Sequence, residues 1–232
     1  MTSILAASIL GGLLAVEHRS SLGLMVSQPL VGGLLTGILL GAPLQGFIAG
    51  AFFQMLFLGH VRLRGERSPD LPSGGVAAAA LYILVSRDSG GVPPVDGDIL
   101  AWSMLIAILV AGLGMYFHAA WCSRSAGLAD RALEHARGGR FREASSIHLS
   151  MLAVHFLYGF AVIFAALAAG RPLAARAAGN QGLIDAGPQG LILLLIPFVG
   201  IGSILRIHLV KSHAFWLASG FLLTVIAVMI WR

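Results

Sequence analysis

Apolar residues occur along this chain in runs separated by short polar segments, and two of the runs are long. Residues 99–120 and 147–169 each provide enough apolar length for a helix to cross about 30 Å of hydrocarbon, which takes about 20 residues. Trp102 lies near one end of the first run, and Tyr116 and Trp121 lie near the other end. Aromatic residues at both ends of the first run are typical of membrane interfaces. Both runs are predicted to be transmembrane helices.

Other apolar runs are shorter or interrupted. They occupy residues 3–16, 74–85, 189–204 and 215–231, with polar connections predicted at 86–98, 171–188 and 206–213. Residues 189–204 contain Pro197 and Gly200, which predict a kinked or broken helix. Glu17, His18 and Arg19 follow the first run, and this cluster is interpreted either as a helix end or as an ion pair within the membrane.

The stretch 27–80 has a different pattern, with two apolar runs that are too short to cross a bilayer comfortably. They cover residues 31–40 and 46–58, and proline and glycine punctuate both. Short or broken helices carrying polar residues are how membrane proteins line internal polar sites. Residues 27–85 are therefore predicted to be a broken-helix region, whose glycines allow close helix contact with a second polypeptide or within the chain.

Composition supports a membrane protein and excludes a soluble domain. Hydrophobic residues make up 57% of the 232 residues, charged residues only 11%, and the mean hydropathy is +0.88. Soluble domains carry about 25% charged residues. The chain is thus predicted to be an all-α polytopic membrane protein with about six to eight apolar segments, forming one integral membrane domain over residues 1–232. The apolar outer surface of such a protein is expected to contact membrane lipid.

Positive charge is concentrated in one connection, residues 122–146. It contains five arginines against three acidic residues: Arg124, Arg131, Arg137, Arg140 and Arg142, with Asp130, Glu134 and Glu143. The positive-inside rule predicts that this connection is cytoplasmic. Within it, an apolar stripe predicts a short amphipathic helix that ends at Gly138-Gly139 and lies on the membrane or packs on a partner.

The sequence contains no motif for nucleic-acid binding, for a disulfide or for a phosphate loop. The net charge of +5 is interpreted as topological, and no nucleic-acid motif is present. The single cysteine, Cys122, excludes an internal disulfide and a multi-cysteine metal site. No glycine-rich phosphate loop is present, and we predict no catalytic residue, cofactor or metal. His148, His155 and Tyr158 are interpreted as packing residues in preference to a relay.

Four polar residues are the candidate ligand-binding residues: Gln28, Gln54, His60 and Asp70. Carboxylate and amide groups in a mostly apolar cleft can bind the hydroxyl groups of a small sugar. Asp70 follows Pro69, so the pair is interpreted as a turn that presents a carboxylate where the second short helix ends. The alternative is that Asp70 pairs with Arg64 or Arg67 in a surface loop.

The order of motifs in the first half of the chain resembles a known transporter family. Those motifs are a Pro-Leu pair, two glycine-spaced tracts and a Pro-Asp pair, found at residues 29–30, 33–41, 50–59 and 69–70. The charged segment and the helix after it, residues 129–167, continue the resemblance. These features are similar to the IIC component of the mannose/fructose/sorbose family of phosphotransferase-system (PTS) permeases.

The resemblance implies an elevator-type permease in the inner membrane of a bacterium, crossing it several times. It implies a IIC subunit that forms the sugar path with a IID membrane subunit, in an oligomeric complex. Separate soluble IIA and IIB units would transfer phosphate from phosphoenolpyruvate, so the chain is expected not to be an enzyme. The sugar-site residues would include Asp70, with Gln54 where the family usually has Glu.

Two other functions remain as alternatives to the sugar permease. Arginines near Asp70 suit a transporter of an anionic, non-sugar solute on a related scaffold. The replacement of charged family residues by Gln28 and Gln54 suits a non-transporting subunit that regulates or docks a partner.

Overall fold

The computed structural model describes residues 1–19, 24–58, 68–90 and 96–179. These residues form six α-helices and contain no β-strand. The helices are α1 (Thr2–Arg19), α2 (Pro29–Leu39), α3 (Pro43–Leu56), α4 (Leu71–Asp88), α5 (Gly97–Arg137) and α6 (Phe141–Gly179). The all-helical prediction is confirmed for this part of the chain, whereas residues 189–204, 206–213 and 215–231, and His60, lie outside it.

The two short helices predicted in the broken-helix region are present and pair with each other. α2 has 11 residues and α3 has 14, and each begins with a proline, whose missing N–H would be unsatisfied there anyway. Gly41 joins them with φ +69°, a left-handed conformation that glycine adopts without strain. The turn makes α2 and α3 an antiparallel hairpin.

Glycines bring the backbones of α2 and α3 into contact. A Cβ atom added to Gly33 would lie 2.7 Å from the Cα atom of Gly50, and one added to Gly46 would lie 2.6 Å from the Cα atom of Gly37. No side chain larger than hydrogen fits at these positions without moving a helix. Of the two interpretations of these glycines, the contact within the chain is the one observed.

α4 is the central helix of the described bundle. Residues 72–86 are all buried, and α4 packs against each of the other five helices. Its run of alanines lets these neighbours approach closely on all sides, because alanine adds only one methyl group to the helix surface. Gly74 and Gly75 extend the same small-residue surface to the first turn, where α2 and α3 make contact.

α5 and α6 are long helices that meet at a tight turn. They contain 41 and 39 residues, about 60 Å each at about 1.5 Å per residue, and both are apolar enough to cross a membrane. The predicted helix end at Gly138-Gly139 is confirmed, since α5 ends at Arg137. The predicted break near Cys122 is absent, and α5 continues as one helix from the apolar part into the charged part.

The second long helix also continues further than the sequence indicates. Residues 171–179 were expected to begin a polar loop, but α6 runs through Pro172 to Gly179. Arg171 donates two hydrogen bonds to Asp88 of α4, at 2.6 and 2.5 Å. The charge of Arg171 is therefore paired with a residue of a neighbouring helix.

α1 packs antiparallel to α6 through small residues. A Cβ atom on Gly11 would meet the side chain of Ile163, and one on Gly159 would meet the Cβ atom of Ala15 at 2.7 Å. The C-terminal end of α1 therefore lies beside the part of α6 near His155. The cluster that follows the first apolar run is a helix end, since α1 includes Glu17, His18 and Arg19.

Candidate functional site

Three helix ends meet at one end of the bundle, which we call the polar end and define by Gln28, Gln54, Asp70 and Ser73. The start of α4 touches the start of α2, since a Cβ atom on Gly75 would lie 2.7 Å from the Cα atom of Pro29. It also touches the end of α3, since a Cβ atom on Gly74 would lie 2.2 Å from the ring of Phe53. The N-termini of α2 and α4 and the C-terminus of α3 thus lie together in one region.

Gln54 joins the end of α3 to the start of α2. Its side-chain oxygen accepts a hydrogen bond of 3.0 Å from the backbone N–H of Leu30. Gln28, the N-cap residue of α2, makes no capping hydrogen bond with its side chain and is exposed. Gln54 therefore caps α2 from another helix, and its amide NH₂ group makes no hydrogen bond that is recorded among the described residues.

Asp70 is the buried acid of the polar end, with a relative exposure of 2%. It is the N-cap residue of α4, and its Oδ1 atom accepts a hydrogen bond from the backbone N–H of Ser73 at 3.4 Å. Its own backbone N–H donates to the carbonyl of Ala111 in α5 at 3.0 Å. A carboxylate at a helix N-terminus is stabilised by the helix dipole and by the unpaired N–H groups there.

The other carboxylate oxygen of Asp70 contacts α5 and α6. Tyr158 donates its hydroxyl to Oδ2 at 2.9 Å, and Nε2 of His118 lies 3.6 Å from the same oxygen. Both side chains are buried, with relative exposures of 9% and 8%. Asp70 therefore connects the start of α4 to both long helices.

Aromatic rings of α5 fix Tyr158 in place. The ring of Phe117 stacks on Tyr158 with centroids 3.9 Å apart, and the ring of His118 meets Tyr158 edge-on at 5.2 Å. His155 lies one turn away on α6, with its ring centroid 5.8 Å from that of His118. This aromatic cluster encloses the Asp70 carboxylate on the side away from α2 and α3.

A second carboxylate holds the segment that leads into α2. Glu17 accepts a hydrogen bond from the backbone N–H of Ser27 at 3.0 Å, and Nδ1 of His18 lies 3.2 Å from the Ser27 hydroxyl. Met25, within this segment, has φ 57°, an uncommon conformation for a residue other than glycine. The end of α1 therefore fixes the approach to the N-terminus of α2.

The opposite end of α4 carries ordinary structural contacts. Arg87 donates a hydrogen bond to the carbonyl of Leu40, one of the unsatisfied carbonyl groups at the end of α2. Asp88 pairs with Arg171, but these side chains are 40% and 34% exposed. An exposed pair of this kind contributes at most about 1 kcal/mol. Within the described residues, no three His, Cys, Asp or Glu side chains form a group suited to a metal ion.

The positions of the predicted site residues are as follows. Gln28, Gln54 and Asp70 all belong to the polar end, whereas His60 is outside the described residues. Tyr158 and His118 were not predicted, because nothing in the spacing of residues on α5 or α6 indicates a carboxylate that precedes α4. Tyr158 was interpreted as a packing residue, and its hydroxyl makes a specific bond as well.

Comparison with solved structures finds a similar fold. One structure, described as "Structure of membrane protein", matches with a TM-score of 0.59 at 20% sequence identity, covering 99% of this chain and 95% of that chain. At this identity the likeness shows the fold alone. No curated protein sequence matches the chain significantly. The described residues form a helical bundle that has two apolar helices of membrane-spanning length and a buried carboxylate, Asp70, among its polar residues.

The family comparison identifies the chain more closely. Residues 1–230 match the family described as "PTS system sorbose-specific iic component", and the chain belongs to this family. It is thus a membrane component of a sugar phosphotransferase system, of the permease class, that works with other components of that system. The resemblance noted from the motifs is confirmed.

Proposed function

We propose that the chain is the IIC permease subunit of a mannose-family PTS and that the polar end is its sugar site. The convergence of two helix N-termini, a buried carboxylate and an amide from three helices is the observation that carries this proposal. Gln28, Gln54, His60 and Asp70 are the proposed sugar-binding residues.

The chemistry of these groups suits a neutral polyol. A carboxylate accepts hydrogen bonds from sugar hydroxyl groups, and bonds to a charged acceptor are stronger than neutral ones. The NH₂ group of Gln54 supplies donors to the same ligand, whereas the N–H of Leu30 is already donated to the Gln54 side-chain oxygen. An apolar enclosure with a few convergent polar groups is typical of small-molecule sites.

Access to Asp70 requires a movement, because only 2% of this residue is exposed. We propose an elevator-type motion in which the α2–α3 hairpin and the start of α4 move relative to α5 and α6. Short helices joined by Gly41 are suited to move as one unit, since their backbones are in contact along the hairpin.

The same proposal specifies the membrane topology of the subunit and the other PTS components with which it works. Residues 1–232 form one integral domain that crosses a bacterial inner membrane several times, with residues 122–146 in the cytoplasm. A IID-type membrane subunit completes the sugar path, and soluble IIA and IIB units carry the phosphoryl group. The complex is oligomeric, and the chain itself transfers no phosphate.

Uptake in cells tests the proposed function. A strain that lacks its own uptake systems for mannose, fructose and sorbose receives the matching IIA, IIB and IID components, with or without this chain. We expect uptake of at least one labelled sugar only with the chain, and recovery of that sugar as its phosphate. Uptake that does not depend on the chain, or recovery of unmodified sugar only, would contradict the proposal.

A further inference from the structure

We infer that Tyr158, assisted by His118, is a positioning residue that orients the Asp70 carboxylate for the sugar, an inference that rests on the proposed function. Tyr158 bonds to one carboxylate oxygen, Oδ2, at 2.9 Å, and His118 approaches the same oxygen at 3.6 Å. The other oxygen, Oδ1, has one long hydrogen bond of 3.4 Å, to the N–H of Ser73. Within the described contacts, Oδ1 is therefore the more weakly bound oxygen.

The two oxygens of Asp70 have different surroundings. Oδ2 contacts α5 and α6, whereas Oδ1 contacts the first turn of α4, which itself touches α2 and α3. A carboxylate has about four acceptor positions, so Oδ1 retains capacity for a sugar hydroxyl. Fixing Oδ2 selects one rotamer of the side chain and directs Oδ1 along the start of α4.

Tyr158 is itself held rigidly, as a positioning residue has to be. Phe117 stacks on its ring, and the backbone next to it, at Gly159, packs closely on α1. Its hydroxyl also lies beside Gly114, where a Cβ atom would come within 2.5 Å of it. Because the Tyr158 side chain is packed on several sides, its hydrogen bond restricts the orientation of the Asp70 carboxylate.

His118 has only Asp70 as a polar partner among the described residues. Its Nδ1 atom is buried and has no hydrogen-bond partner there, whereas Nε2 faces the carboxylate. At 3.6 Å, Nε2 lies just beyond hydrogen-bond distance of Oδ2, and it approaches the oxygen that also accepts the Tyr158 hydroxyl. Tyr158 and His118 therefore both lie against Oδ2 and leave Oδ1 on the side of α4.

Removing the Tyr158 hydroxyl tests the inference. Tyr158→Phe retains the ring and its stacking and removes only the donor. Tyr116→Phe is the matched control, because Tyr116 lies on α5 close to the same level and is 61% exposed. The assay is uptake of labelled mannose, fructose or L-sorbose, whichever the wild-type complex transports, with KM and maximal rate measured separately. We expect Tyr158→Phe to raise KM about tenfold or more, with KM unchanged in the control.

A double-mutant cycle separates positioning from a purely structural role. If Tyr158 acts through Asp70, then Tyr158→Phe has little further effect on KM in an Asp70→Asn background. His118→Gln, which keeps a donor near the position of Nε2, is expected to retain more affinity than His118→Leu. A loss of folded protein alone would lower the maximal rate without changing KM.

Failure of the inference about Tyr158 and failure of the proposed sugar transport would give different results in these assays. An unchanged KM in Tyr158→Phe, or the same increase in both backgrounds, would overturn the inference while leaving the sugar permease intact. A wild-type complex that transports and phosphorylates no sugar would instead overturn the proposed function, and with it the basis of this inference.

Discussion

Adding one methyl group next to Asp70 should disturb the site without removing any polar atom. A Cβ atom at Gly114 would lie 2.3 Å from the Cβ atom of Asp70 and 2.5 Å from the Tyr158 hydroxyl. Carbon atoms normally approach to about 3.5 Å, so Gly114→Ala requires α4 or α5 to move by about 1 Å. At Gly112 a Cβ atom would meet nothing within 4 Å, which makes Gly112→Ala a matched control on the same helix.

The expected magnitudes follow from two opposing effects. Overpacking costs about 1–3 kcal/mol, whereas replacing glycine by alanine in a helix gains up to about 1 kcal/mol. Gly114→Ala should therefore be destabilised by up to about 3 kcal/mol and bind sugar about tenfold more weakly, because Oδ2 is displaced from Tyr158. Gly112→Ala should be as stable as the wild type or more so, with unchanged affinity.

Heating of the detergent-solubilised protein, followed by gel filtration, measures the stability of both variants. Binding of labelled sugar to each variant in the complex with the other PTS components measures their affinity. Equal stability and equal affinity in the two variants would refute the packing described around Asp70. Reduced stability with normal affinity would leave the packing intact and separate it from the sugar site.

Three further predictions concern other parts of the molecule. Gly46→Ala places a Cβ atom 2.4 Å from a carbonyl oxygen of α2. This overpacking should sharply lower the yield of monodisperse protein. A normal yield would contradict the contact between α2 and α3. Gln54→Ala removes the side-chain acceptor that caps α2 and should cost about 0.5–2 kcal/mol of stability, measured by thermal unfolding. Gln54→Glu keeps an acceptor and should lose less stability. Equal losses in the two variants would argue against capping. In a chain with Cys122→Ser, an impermeant thiol reagent applied outside the cell should label Ser89→Cys and not Arg137→Cys, and the reverse pattern would invert the predicted topology.

The short helices were predictable because their signals are local. Pro29 and Pro43 stand at their first positions, and Gly41 stands between them, so the sequence itself indicates where each helix begins and ends. The apolar parts of α5 and α6 were predictable for the same reason, since length and hydropathy are properties of a continuous segment.

The full lengths of the long helices were not predictable, because they depend on partners elsewhere in the chain. Arg171 remains in a helix beside Asp88, a residue 83 positions away. The charged half of α5 continues the apolar half without a break, although its composition alone resembles a loop with a short helix.

The site was predictable only in part. Asp70 and Gln54 stood out as polar residues at the ends of apolar runs, but their hydrogen-bond partners are distant in sequence. Tyr158 is 88 positions from Asp70, and Leu30 is 24 positions from Gln54. Such partners follow from the packing of α4 against its neighbours and leave no periodic signal in the sequence.

The most direct test of the central claim compares two aspartates at opposite ends of α4. Asp70 is buried at the polar end, whereas Asp88 is 40% exposed and pairs with Arg171. Sugar affinity is measured for Asp70→Asn and Asp88→Asn in the complex with the other PTS components, with folded protein quantified in each sample. Loss of a charge-assisted hydrogen bond costs about 1.5–3 kcal/mol, or roughly tenfold to over a hundredfold in affinity. We expect that loss for Asp70→Asn and wild-type affinity for Asp88→Asn, whereas wild-type affinity in well-folded Asp70→Asn would contradict the assignment of the polar end as the sugar site.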